Sequence, residues 1–320
     1  MNKFFTIAAA VFLLSGCGSN LKEYSGTRML MGTVFEVKLY SHDRHSAEKN
    51  ITAAFDEISR LENIFSVFIP TSDVSVLNAS GRAKVSGEVI ELTEKSKYYS
   101  KISDGAFDIT VLPVIELWKK SKETGCPPAP SEIAKAKILV GSDKITVDAK
   151  NGLINFALKG MRIDFGGIAK GYAVDKAYSL LIKNGVTAGI VNAGGNMRVW
   201  GDKMWNIALQ DPRDSGRFVT VLKLKNTSVS TSGDYERYFF LDKKRVSHII
   251  NPSTGYSADE SISATIITET ATDADALSTA VFVLGPEKGI GLIKNIGTAQ
   301  CLVIDNRKKI YRSHGFEKYE

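Results

Sequence analysis

The chain has 320 residues, enough for a sizeable core and for one large or two ordinary domains. Hydrophobic residues at 43% and charged residues at 24% exclude whole-chain disorder, and 27 glycines with 8 prolines exclude a collagen-like chain. The net charge of +6 is spread thinly, with no Lys/Arg run that suggests a nucleic-acid footprint and no helix-turn-helix or zinc-finger spacing, so no nucleic-acid partner is expected.

The first segment reads as a leader. Lys3 opens it, and Phe4 to Leu14 is an apolar run too short to span a bilayer. Leu14-Ser15-Gly16-Cys17 looks like a bacterial lipoprotein processing box. Residues 1–16 are therefore expected to be a signal peptide. Residues 17–27 are expected to be a lipidated Cys17 and a polar tether, and 28–320 the folded unit. That places the chain on the periplasmic side of a bacterial membrane, held by a lipid anchor. Cys126 and Cys301 would be the remaining thiols, and their spacing leaves open whether they pair.

Thr33 to Leu39 alternates apolar and polar residues and predicts a strand. Ile51, Ala54, Phe55, Ile58, Leu61 and Phe65 recur at helical spacing, so Arg44 to Phe65 predicts a helix. A second helix is expected from Ser86 to Ile102. Pro127, Pro128 and Pro130 make 124–131 a loop. Strands are expected at Lys144–Asp148, Leu153–Phe156 and Met161–Phe165. A helix follows from about Gly167 to Gly185. Further strands are Thr187–Asn192, Trp205–Gln210, Phe218–Leu224, Tyr235–Leu241, Val246–Ile250 and Ile262–Thr268. A helix from Thr272 stops at Gly285-Pro286, and a last hairpin joins Ala299–Ile304 to Lys308–Arg312. Helices and strands do not alternate regularly, and short turns join several strands. The expected fold is α+β, with mainly antiparallel sheets packed with helices in one compact unit.

Five segments carry candidate chemistry. Asp275 and Thr279 stand at i, i+4 on one helix face, a hard-oxygen pair suited to Mg²⁺. Equally, Thr272 and Asp275 fit the capping pair of a helix start. Asp164-Phe-Gly166-Gly167-Ile-Ala-Lys170-Gly171 takes a strand end through two glycines into a helix, where N–H groups and Lys170 favour a phosphate. A plain tight turn with a surface lysine fits as well. Asn192-Ala-Gly194-Gly195-Asn196 allows either a close backbone approach or a simple turn. Ser230-Thr231-Ser232-Gly233-Asp234 offers hydroxyls to an anion, and His248 follows in an apolar run, as a core residue or as a catalyst. Asp104-Gly-Ala106-Phe107-Asp108 either turns into a strand or lines a planar ligand.

Together with Met31-Gly32-Thr33 and Ser247-His248-Ile249-Ile250-Asn251-Pro252, these segments resemble the FAD:protein FMN transferase family of bacterial periplasmic lipoproteins, from about Met31 to Gly285. The resemblance implies an enzyme that splits FAD, moves FMN onto a threonine hydroxyl of an acceptor protein and releases AMP. Acceptors in the family are flavoprotein subunits of redox complexes. The resemblance also implies Mg²⁺ on Asp275, Thr279 and the Gly167 carbonyl. It implies FAD contacts at Met31, Phe68, Ala106, Phe107, Asp108, Asp164, Lys170 and Ile249, and assistance to the chemistry by His248. Phe68 replaces a more polar aromatic common in the family, and Ser278 stands where many members carry Asp. An Mg²⁺-dependent FAD pyrophosphatase and a non-catalytic FAD-binding lipoprotein are the competing readings.

Overall fold

The computed structural model describes residues 21–320; the expected leader and Cys17 lie outside the described residues. In chain order it begins with β1 (Lys22–Leu30), β2 (Thr33–Ser41), α1 (Arg44–Phe65), α2 (Asp73–Ser80), β3 (Arg82–Lys84), α3 (Gly87–Ile102), α4 (Leu112–Thr124) and α5 (Pro130–Ile138). There follow β4 (Ile145–Asp148), β5 (Leu153–Phe156), α6 (Ala169–Lys183), β6 (Gly189–Ala193), β7 (Asn196–Trp200), β8 (Trp205–Asp211), β9 (Asp214–Leu224) and β10 (Thr227–Gly233). The chain closes with β11 (Tyr238–Leu241), β12 (Lys244–Ser247), β13 (Ser261–Thr268), α7 (Ala271–Ile296), β14 (Gln300–Asp305) and β15 (Ile310–Arg312). Every strand pairing among these is antiparallel. The α+β expectation holds.

Eight strands form one large sheet in the order β1-β2-β6-β7-β10-β13-β14-β15. β13 is buried at every position because both faces are covered. Ala264 and Ile266 face the main core with α7, while Ile267 faces a second core under the β8–β9 hairpin. The expected apolar stripe of α1 packs into the main core, and Asp43 caps that helix by accepting from Ser46 N at 2.8 Å. α7 breaks at Gly285, whose φ of 76° leaves the helix before Pro286 restarts it.

Several expectations change. Residues 22–27, expected as tether, are strand and pair with β2 from Ser41 to Glu36. Met161–Phe165 is extended but belongs to no sheet. Its polar groups are met otherwise. The Asn78 side chain exchanges two hydrogen bonds with the Ile163 backbone, at 2.8 and 2.9 Å, and Asp164 N donates to Ile109 O. The loop at 124–131 is shorter than expected, because Pro130 starts α5 rather than ending structure. Thr272 and Asp275 do not form the capping pair. Thr270 caps α7 by accepting from Asp273 N at 3.1 Å. Cys126 is exposed and Cys301 buried, and both are free thiols.

Candidate active site

The expected segments converge at one end of the large sheet. Met31 and Gly32 turn β1 into β2 with φ of 49° and 70°. Met31 N donates to Glu62 Oε1 at 2.7 Å, which fixes that turn. Gly194 and Gly195 turn β6 into β7, both at positive φ. The two turns touch, since a Cβ on Gly194 would lie 2.2 Å from Thr33 Oγ1. Arg237 Nη2 donates to Gly32 O at 2.6 Å, and Arg237 O in turn accepts from His248 N at 3.0 Å. His248 is thereby tied to the Met31-Gly32 turn.

Where α6 meets α7, Gly171 N donates to Asp275 Oδ2 at 2.9 Å. Asp275 Oδ1 faces Lys170 Nζ at 3.7 Å, beyond hydrogen-bond length. Burial pushes the Asp275 carboxyl above its usual range, against the pull of Lys170 and the Gly171 N–H. Thr279 lies one turn further on. A Cβ on Gly167 would sit 3.2 Å from both Thr279 Oγ1 and the Phe107 ring. Gly167, Phe107, Thr279, Asp275 and Lys170 are therefore neighbours.

Asp175 was missed by sequence reasoning as a structural partner of this helix start. Its carboxylate accepts from Ala271 N, Thr272 N and Thr272 Oγ1 at 3.0, 2.8 and 2.6 Å, and pairs with Arg198. It satisfies α7's first N–H groups and complements the positive end of the helix. No local signal pointed to it, because its partners at the α7 start lie about a hundred residues away in the chain.

The Ser230 and Ser232 hydroxyls already have partners. Ser278 Oγ lies 3.1 Å from Ser230 Oγ and 2.8 Å from Ser232 Oγ, and Ser230 donates to Asn196. Ser278 thus belongs to a buried hydroxyl seam between β10 and α7. Asp234 is held by Arg213 through two 2.7 Å bonds.

The His248 ring lies within reach of the Lys170 charge. Nδ1 is 3.0 Å from Arg237 O, and a carbonyl only accepts, so Nδ1 carries the proton and Nε2 keeps its lone pair. Crowding by protein, with help from the Lys170 and Arg237 charges, pushes its pKa down to about 4. The residue remains exposed to solvent at the site mouth, so it is neither core nor strand. It is a neutral imidazole near pH 7 with a free acceptor nitrogen.

Other expected residues divide. Ala106 and Ile249 are buried beside the main core. Asp164 Oδ1 accepts from Gly166 N at 2.8 Å and shapes the turn into α6. The Asp108 carboxylate points inward. It accepts from Thr110 N, Thr110 Oγ1, Ser142 N and Ser100 Oγ at 2.6–3.2 Å. Its side chain is therefore spent on the fold rather than aimed at a ligand. Phe68 is 78% exposed, with Lys119 Nζ 5.0 Å above its ring. Among the described residues no aromatic ring pairs with it.

The donor set at Asp275, Thr279 and Gly167 fits a small hard cation. It offers a carboxylate, a hydroxyl and a backbone carbonyl, with one carboxylate oxygen lacking a close donor. Among the described residues no cluster of three His, Cys, Asp or Glu offers an alternative centre.

Comparison with known proteins places the fold in one family. A family model described as the ApbE family matches residues 31–303. An FAD:protein FMN transferase of Klebsiella pneumoniae is 32% identical over 92% of this chain and 93% of its own. One of Treponema pallidum is 32% identical over 98% of this chain and 94% of its own. The crystal structure of an ApbE protein of Thermotoga maritima superposes with a TM-score of 0.88 at 34% identity, covering 93% of this chain and 99% of that one. The apo flavinyl transferase ApbE of Pseudomonas stutzeri gives 0.81 at 30%, over 93% and 97%. Fold, site and relatives together define an enzyme of the flavin transferase class. The chain belongs to the ApbE family.

Proposed function

We propose that this protein moves FMN from FAD to a threonine hydroxyl of an acceptor flavoprotein subunit, with Mg²⁺ and with release of AMP. The observation that carries the reading is the convergence of Asp275, Thr279, Gly167 and Lys170, with the Lys170 charge acting on a neutral His248. A pure flavin binder has no need of a hard-oxygen centre or a free imidazole there. Asp275, Thr279 and the Gly167 carbonyl would hold the metal. When bound, Mg²⁺ neutralises charge on the pyrophosphate.

The chain's own groups do the rest. Lys170 sets a positive charge at the pyrophosphate, aided by the N-terminus of α6. His248 Nε2 accepts the threonine proton. The threonine oxygen bonds to the FMN-side phosphorus, the bridging P–O bond breaks, and AMP leaves with that electron pair. The product is a phosphodiester between threonine and FMN.

Residues 1–16 as a removed leader and an acylated Cys17 on the periplasmic side complete the proposal, supported by the Leu14-Ser15-Gly16-Cys17 box. A Cys17→Ala chain is expected in the soluble fraction; a membrane-bound one argues against the anchor.

The test is intact-mass spectrometry of a threonine-bearing acceptor incubated with the mature chain, FAD and Mg²⁺. The expected result is an FMN adduct that disappears with Asp275→Ala. Free FMN and AMP without adduct identify a pyrophosphatase instead. Intact FAD beside a competent acceptor identifies a binding protein.

A further inference from the structure

The two-stranded sheet of β11 and β12 stands apart from the large sheet. Its inner face is settled: Phe239, Leu241 and Val246 join a small core with Val114, Trp118 and Ile133. On its outer face Arg245 Nη1 lies 3.7 Å from Asp234 Oδ1, while Tyr238 and Phe240 stand open. Phe240 pairs in register with Arg245, and Tyr238 lies two residues before Phe240, so all three project to the same side. Phe240 is 62% exposed and Tyr238 42%. Their rings meet edge to face at 5.6 Å, and the Arg245 guanidinium sits 4.1 Å from the Tyr238 ring centre. Lys243 stands exposed in the adjoining turn, and Lys244, the first residue of β12, is exposed beside Leu241 on the other side of the hairpin. Exposed aromatics grouped around an arginine are the residue types that anchor protein interfaces, with lysines suited to a rim.

The hairpin is built into the site. Arg237 immediately precedes β11 and His248 immediately follows β12, and Arg237 O accepts from both His248 N and Nδ1 at 3.0 Å. A body seated on the outer face is therefore held beside the imidazole. The transferase reading requires such a body, because its second substrate is a polypeptide rather than a small molecule.

We infer that the outer face of the β11–β12 hairpin docks the acceptor protein, through Tyr238, Phe240 and Arg245, against a surface carrying an acidic side chain that meets Lys243. This inference rests on the transferase reading. Opposite charge across the rim steers and orients the encounter, while the aromatic pair supplies the buried anchor.

The experiment measures FMN transfer from saturating FAD to a recombinant threonine-bearing flavoprotein subunit, varying that subunit. The Tyr238→Ala/Phe240→Ala variant is expected to raise the acceptor KM about tenfold or more, with kcat and FAD affinity unchanged. Lys243→Glu is expected to raise KM as well, and added salt to raise the wild-type KM. An unchanged acceptor KM in the aromatic variant, with wild type active, overturns the docking surface alone. So does a variant whose only change is lost self-association or lost binding to anionic vesicles. A wild-type chain that labels no acceptor overturns the transferase reading and this inference with it.

Discussion

Gly171 and Asp275 lie in direct contact across the α6–α7 crossing. The Gly171 amide donates to the Asp275 carboxylate at 2.9 Å, and a Cβ at 171 would fall 2.1 Å from Ala271 O and 2.8 Å from Asp275 Cβ. The first obstacle is backbone and cannot swing aside. Gly171→Ala is therefore expected to part the two helices, cost roughly 1–3 kcal/mol or more, and displace the carboxylate. Thermal unfolding and FMN transfer measured on one preparation check this. A variant with unchanged melting and turnover would show that the crossing relaxes freely.

Asp275→Asn separates stability from function. Burial holds the carboxyl above its ordinary pKa, so the ionised form is the disfavoured one in the fold. A neutral amide keeps the shape and removes that penalty. The metal-free variant is expected to melt above wild type. Transfer is expected to fall at least about 100-fold, since a hard-cation ligand is gone. Added Mg²⁺ should raise the wild-type melting temperature and leave that of the variant unmoved. The same raised pKa makes wild-type metal binding weaken as pH falls, because the ligand must first lose its proton. Equal Mg²⁺-induced shifts in both proteins would place the metal elsewhere.

What was legible in the sequence follows physical lines. The α1 stripe from Ile51 to Phe65 could be read because helical periodicity is local. The turn at Asp164 and the i, i+4 pair Asp275 and Thr279 were equally local, and they do lie together. β1 was not legible as strand. Its outward side carries Met29 beside polar residues and its inward side includes Gly26 and Arg28, so it shows no apolar alternation. Only its pairing with β2 makes it a strand. β10 hid for the same reason, because its serines are buried by hydroxyl partners on α7 rather than by apolar ones. Asp108 illustrates the opposite failure. A carboxylate in a suggestive motif was expected to face a ligand, and the fold consumes all its acceptor capacity. Partners distant in sequence decided β1 and β10, while Asp108 is held largely by Thr110, two residues on.

The early start of the fold has a measurable consequence. Residues 22–27 pair with β2, and Gly26 packs so closely that a Cβ would lie 2.8 Å from Ile51 Cγ2. A chain begun at Arg28 would leave most of the β2 edge unpaired. It is expected to melt at least about 5 °C below a chain begun at Leu21 and to aggregate more readily. Matching melting curves would return 22–27 to the role of tether.

His248 sets the pH dependence. Its pKa lies at about 4 in the fold, against an ordinary value of 6.5. Between those values the unfolded chain binds the extra proton and the folded chain does not. The contribution to stability is therefore complete above 6.5 and is lost as pH falls toward 4. Catalysis follows the same group, because only the neutral ring has a lone pair on Nε2. Wild-type kcat is expected to stay level from neutral pH down to roughly pH 5 and then to fall. His248→Gln is expected to lower kcat roughly 100- to 10,000-fold with FAD affinity unchanged, and to flatten the stability difference across that window. A wild-type kcat profile that breaks near 6.5, and loses the break in His248→Gln, would mean the imidazole titrates as it does in water and the site does not depress it.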